Sequence, residues 1–137
     1  MRVLIAMATA LVLLAGCAAQ GAQPGTGGQV SVTLTDTGVT LAQTSVSSGP
    51  VTFKVKNAGS IVHELVVVRT DIAQDKIQPN TDEPSKMSEE GTQGESGDLE
   101  AGLTKDFTLN LSAGKYVLMC NQPGHYMAGM HIAFVVR

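Results

Sequence analysis

Histidine and cysteine are scarce in this chain: three and two, respectively, in 137 residues. Three histidines are too few for an enzyme that carries several metal centres, and two cysteines allow one disulfide at most, Cys17–Cys120. Positive charge is also short, with nine Lys and Arg against twelve Asp and Glu for a formal net charge of −3. No basic patch is present, which excludes a nucleic-acid-binding face. Long apolar runs are missing beyond the first fifteen residues, so nothing after them approaches membrane length. A convincing core-helix pattern is absent as well.

The one apolar run is the N-terminus. Arg2 gives a minimal positive region, and Val3 to Ala15 form an apolar stretch too short for a comfortable transmembrane helix, the shape of an export signal. Leu14-Ala15-Gly16-Cys17 has the form of a bacterial lipobox, in which the cysteine is lipid-modified and becomes the new N-terminus. The expectation is a signal over 1–16, a lipidated Cys17 and a Gly-rich flexible tether over 17–29. An ordinary cleaved signal and an uncleaved anchor are the alternatives. A lipidated Cys17 leaves Cys120 without a protein partner, and a lone thiol in an oxidising compartment is a liability unless a metal occupies it. The predicted location is the periplasmic or extracellular face of a membrane.

Residues 30–137 read as one domain of ordinary size. Val30, Val32 and Leu34 alternate with polar residues, as do Val51, Phe53 and Val55, and then Phe107, Leu109 and Leu111, the period-2 signature of half-buried strands. A short strand over 39–44, strands over 115–120 and 131–136, and a nearly continuous apolar run over 61–69, expected as a central strand covered on both faces, complete the pattern. The fold class is therefore all-β, an antiparallel β-sandwich of about seven to eight strands. Residues 71–101 interrupt it as an acidic loop insertion, with nine acids and two lysines between Asp71 and Glu100. It reads either as a solvated, partly mobile excursion or as a negative docking face for a basic partner.

The informative segment is Cys120-Asn-Gln-Pro-Gly-His125-Tyr-Met-Ala-Gly-Met130. Cys, His and Met recur at five-residue steps, and Pro123, Gly124 and Gly129 give the chain the reversals needed to turn three side chains towards one point. With His63 from an upstream strand, the set is a thiolate, two imidazoles and a thioether, the donors of a blue-copper electron-transfer site. Read singly, Cys120 is equally a buried free thiol, His63 a hydrogen-bonded core histidine and Met130 core filler. Their conjunction in one Gly- and Pro-rich hairpin points to a single metal.

These residues resemble the cupredoxin family of small blue-copper proteins over roughly 30–137, with loop spacing closest to its rusticyanin- and auracyanin-like members. The resemblance implies a Greek-key β-sandwich, one type 1 copper cycling between Cu(I) and Cu(II), and reversible one-electron transfer without enzymatic turnover. It implies His63, Cys120 and His125 as strong ligands and Met130 as a weak axial one. It further implies that the Glu64 N–H supports the thiolate and that Asn57 or Asn121 pairs with the ligand loops.

Electrons are expected to pass through His125, whose neighbours Pro123, Gly124, Tyr126 and Met127 would form a low apolar rim for a redox protein. The acidic 71–100 stretch is a second candidate docking element. The protein is expected to act as a monomer, tethered to the membrane by its lipid. A copper-delivery protein is the alternative function. A copper nitrite reductase or multicopper oxidase would need more histidines, a binuclear copper site would need a second loop cysteine, and a metal-free adhesion sandwich leaves the ligand pattern unexplained. By strand alternation, His131 should face away from the metal.

Overall fold

The computed structural model describes residues 25–137. The predicted signal over 1–16, Cys17 and the tether as far as residue 24 lie outside the described residues. Nine strands follow: β1 (Gly28–Thr35), β2 (Gly38–Leu41), β3 (Ser45–Val46), β4 (Gly49–Asn57), β5 (Val66–Arg69), β6 (Thr92–Glu95), β7 (Thr104–Leu111), β8 (Gly114–Met119) and β9 (His131–Val136). No helix occurs among the described residues.

Alternation builds the first sheet, ordered β2-β1-β4-β7. Val30, Val32 and Leu34 of β1 and Val51, Phe53 and Val55 of β4 are buried, while the residues between them are wholly or partly exposed. The second sheet is ordered β3-β9-β8-β5-β6. Within the first sheet Phe53 stacks on its β7 partner Phe107, with centroids 5.4 Å apart, and it joins the two layers by meeting Phe134 of β9 edge-on at 5.9 Å. Such pairs add about 0.5–1.5 kcal/mol beyond the area they bury.

The sheets are mixed rather than purely antiparallel. β1 pairs in parallel with β4, and β3 with β9. Side-chain alternation reports which face a residue takes and is silent on strand direction, so the sequence pattern could not distinguish the two. The count is also nine rather than seven or eight, because β3 is two residues long and β6 is wholly polar. β1 begins at Gly28, two residues inside the expected tether.

Two segments depart further from expectation. The apolar run over 61–69 is a strand only from Val66, and His63 makes an isolated bridge with Leu99. The 71–101 segment is a wall of the domain. It supplies β6, and its Ile77 and Met87 join Val66, Val68, Val117, Met119 and Tyr126 in a second apolar cluster. β5 and β8 are therefore covered on both faces, and four consecutive residues, Tyr116 to Met119, are all buried.

Candidate metal centre

The loop between β8 and β9 is closed at its base and shaped by hydrogen bonds. The Cys120 N–H donates to the Met130 carbonyl at 3.0 Å, carrying the β8–β9 pairing one step past the strands. Inside, the His125 N–H reaches the Gln122 carbonyl at 3.0 Å and the Met130 N–H reaches the His125 carbonyl at 3.2 Å. Gly124 and Gly129 take φ of 81° and 102°, backbone states that residues with a Cβ seldom adopt.

The same loop is held from outside by the acidic segment. The Gly124 N–H donates to the Ser85 carbonyl at 2.7 Å. The Tyr126 hydroxyl accepts from the Ile77 N–H and donates to the Gln74 carbonyl. Asn121 accepts from the Met87 N–H at 2.7 Å and donates to both the Met87 carbonyl and Glu89.

These constraints bring three donors together. Cys120 Sγ lies 3.3 Å from His125 Nδ1 and 3.8 Å from His63 Nδ1, and the two Nδ1 atoms are 3.1 Å apart. All three lie within 4.8 Å of one another. Nitrogen and sulfur ligands held ~2.0–2.3 Å from one transition-metal ion would stand roughly 3–4 Å apart, so the cluster fits a single ion. His63 and Cys120 are 0% exposed. Met130, equally buried, shares the main core cluster with Cys120.

The electrostatics suit a neutral imidazole and a thiol that needs a cation. Burial, followed by the nearby His63, pushes the His125 pKa down and leaves its ring neutral. Burial pushes the Cys120 thiol up, against the N–H groups of Glu64 and Gln122 that favour its anion. The Glu64 N–H points at the sulfur from 3.4 Å. A cation held by these residues would offset the desolvation and favour the thiolate. The Glu64 carboxyl is pushed up to about 7, first by burial and then by Glu95, Asp98 and Glu89.

One residue beside the cluster carried no signal in the sequence. Asp36, in the turn between β1 and β2, places Oδ1 3.0 Å from His63 Nε2. The Ser60 amide and hydroxyl donate to the same carboxylate at 2.8 and 2.7 Å. Those two contacts, then the one from His63, draw the Asp36 carboxyl down to about 2. An Asp-Thr-Gly stretch reads as turn chemistry, and only the fold shows what the carboxylate touches.

The remaining predicted residues divide cleanly. Pro123, Gly124 and Met127 are exposed, Met127 at 73%, and His125 is half-buried among them. Tyr126 is the correction to the expected rim, since it is buried with its hydroxyl engaged below the loop. A tyrosine amid exposed small residues suggested an outward ring, but its hydroxyl satisfies the backbone of residues 74 and 77 and its body fills the second cluster. Asn121 clamps the acidic segment through its bonds to Met87 and Glu89. His131 lies against Tyr126, with ring centroids 4.6 Å apart, and is not in the donor cluster. Asn57 holds the segment that carries His63, donating to the carbonyls of Ile61 and Leu99 at 2.7 and 2.8 Å.

The fold recurs in solved structures. Reduced auracyanin from the photosynthetic bacterium Roseiflexus castenholzii is similar with a TM-score of 0.61 at 19% identity, covering 80% of this chain and 96% of that one. Auracyanin B gives 0.58 at 22% identity, covering 83% and 96%. Rusticyanin from Thiobacillus ferrooxidans gives 0.57 at 16% identity, covering 80% and 77%. At such identities the likeness is one of fold. No curated protein matches the chain. A family model for the sulfocyanin (SoxE) domain matches residues 37–137, a span that contains all four predicted ligands and both sheets apart from β1. The chain thus belongs to the sulfocyanin family, within the cupredoxins.

Proposed function

We propose that His63, Cys120, His125 and Met130 hold one type 1 copper and that the protein is an electron carrier, not an enzyme. The observation that carries this reading is the convergence of a cysteine sulfur and two imidazole nitrogens within 4.8 Å in a buried pocket. Copper bound there supplies a one-electron Cu(I)/Cu(II) couple. The chain supplies a rigid frame: the ligand loop is tied internally and to residues 74, 77, 85, 87 and 89 by hydrogen bonds. A frame that cannot rearrange suits both oxidation states in one geometry, which keeps reorganisation small.

His125 is the port. It is the partly exposed member of the cluster, set among exposed Pro123, Gly124, Met127 and Ala128. A partner can approach this apolar surface without desolvating charge, and small transient contacts of this kind release quickly. Cys17 lipidation would place the domain on the outer face of a membrane, with the tether letting it swing between donor and acceptor. The acidic segment offers a second, charged guide for a basic partner.

Copper delivery is the competing function. It needs exchangeable ligands, whereas His63 and Cys120 are fully buried. Visible and EPR spectra of the full chain loaded with one equivalent of Cu(II) test the proposal. An intense thiolate-to-copper band with narrow copper hyperfine splitting is expected. A colourless protein, or rapid loss of copper to a competing apo-acceptor, favours delivery instead.

The axial assignment has its own test. A harder oxygen donor in place of the Met130 thioether favours Cu(II), so Met130→Gln should lower the reduction potential. A tenfold gain in Cu(II) preference corresponds to about 59 mV, and a drop of at least that order is expected in voltammetry. An unchanged or higher potential removes Met130 from the ligand set.

A further inference from the structure

We infer that Asp36 is an anionic positioning residue for the centre, fixing the tautomer of His63 and biasing the site towards Cu(II). The inference rests on the copper reading above and concerns a residue outside the ligand set. A carboxylate can only accept hydrogen bonds, so the His63 nitrogen 3.0 Å from Asp36 Oδ1 must carry the proton. In the neutral ring Nε2 is then the N–H, and Nδ1 keeps a bare lone pair. That lone pair faces Cys120 Sγ and His125 Nδ1. With a metal on Nδ1 the arrangement would be a carboxylate–imidazole–metal triad, in which the outer partner orients the ring and raises its basicity.

Three further observations show that the contact is built rather than incidental. Asp36 is itself held by two Ser60 groups, so its oxygen is already in place ahead of metal binding. The imidazole is 0% exposed while the carboxylate is 41% exposed, so the charge acts on a ring shielded from water at little desolvation cost to itself. Gly59 leaves the space the pair occupies. A Cβ there would stand 2.7 Å from His63 Nε2 and still closer to Asp36 Oδ1. Gly59 has no positive φ, so the need for glycine is one of room.

The turn bearing Asp36 also abuts the ligand loop, with the Thr37 carbonyl in contact range of any Cβ added at Gly129. One short turn thereby supports both halves of the site. A fixed negative charge behind one ligand stabilises the more positive copper state. The potential is held lower than the same four ligands would give with a neutral partner.

The clean variant is Asp36→Asn. Its Oδ1 can still accept from His63 Nε2–H and its amide can donate to the Ser60 hydroxyl, so shape is kept and charge is lost. Mutating such an outer partner typically weakens metal affinity roughly 10–100-fold. The Cu(II) dissociation constant of the full chain should rise within that range with Cu(I) less affected. Each tenfold loss of Cu(II) preference raises the potential by about 59 mV. Gly59→Ala should shift both quantities in the same direction by displacing the carboxylate.

Nitrogen-15 NMR of the metal-free wild-type chain gives an independent readout, with the His63 proton expected on Nε2. A proton on Nδ1 overturns the proposal whatever the variants do. An Asp36→Asn protein with wild-type potential and Cu(II) affinity, blue like its parent, also overturns it. A wild-type chain with no blue band instead overturns the copper reading on which it rests.

Discussion

Cys120→Ser should abolish the intense visible band of the copper-loaded protein, and the copper that remains should give a weak, wide-hyperfine EPR signal. The reason is the uniqueness of the sulfur. Among the described residues Cys120 is the one cysteine, and its Sγ stands 3.3 and 3.8 Å from the two imidazole nitrogens. Intense colour needs a thiolate covalently engaged with the metal, and a serine hydroxyl at this depth stays protonated and is a hard, poor ligand for Cu(I). Copper affinity should fall at least 100-fold, mostly for Cu(I). The fold should survive, because the Glu64 N–H that faces Sγ from 3.4 Å can donate to Oγ instead. The exchange of a buried thiol for a hydroxyl costs about 1–3 kcal/mol when partly compensated. Absorption and EPR spectra, with circular dichroism to check folding, decide the matter. A band that survives the substitution would mean that the colour arises from something other than Cys120.

Much of this centre is legible in the amino-acid sequence alone. The five-residue steps from Cys120 to His125 to Met130 name a loop whose glycines adopt the left-handed φ that the reversals require. The alternation of Val30 to Leu34 and of Val51 to Val55 marks buried faces because those strands have one dry side and one wet side. What the sequence hides depends on contacts distant along the chain. Asp36 reaches His63 across 27 positions, and nothing local distinguishes it from any turn aspartate. The 71–101 segment has a polar composition, so its buried Ile77, Met87 and Leu99 are too few to announce a packed wall. Tyr126 reads as a surface ring because its two backbone partners lie about fifty residues away.

Asn57→Ala should be a strongly damaging change outside the ligands. Asn57 is 0% exposed and ends β4. Its Nδ2 donates to the carbonyls of Ile61 and Leu99, and its Oδ1 accepts from the Gly59 N–H at 2.9 Å. Those partners bracket His63: Leu99 exchanges both backbone hydrogen bonds with it, and Gly59 is the gap through which Asp36 reaches its ring. Alanine removes all three bonds and leaves a cavity at the root of the loop. Buried groups left unpaired cost about 1–3 kcal/mol each, with partial rehydration at the exposed side of the loop. A net loss of about 3 kcal/mol is expected, or a melting temperature lower by roughly 10 °C for a domain of this size. The exposed neighbour Lys56, changed to alanine, serves as a control and should stay within about 0.5 kcal/mol of wild type. The loss should be larger in the copper-loaded chain than in the metal-free one. Ligand binding adds stability in proportion to the logarithm of its affinity, so a variant that also loosens His63 forfeits part of that increment. Equal losses in the two forms would separate Asn57 from the centre and confine its role to the sandwich.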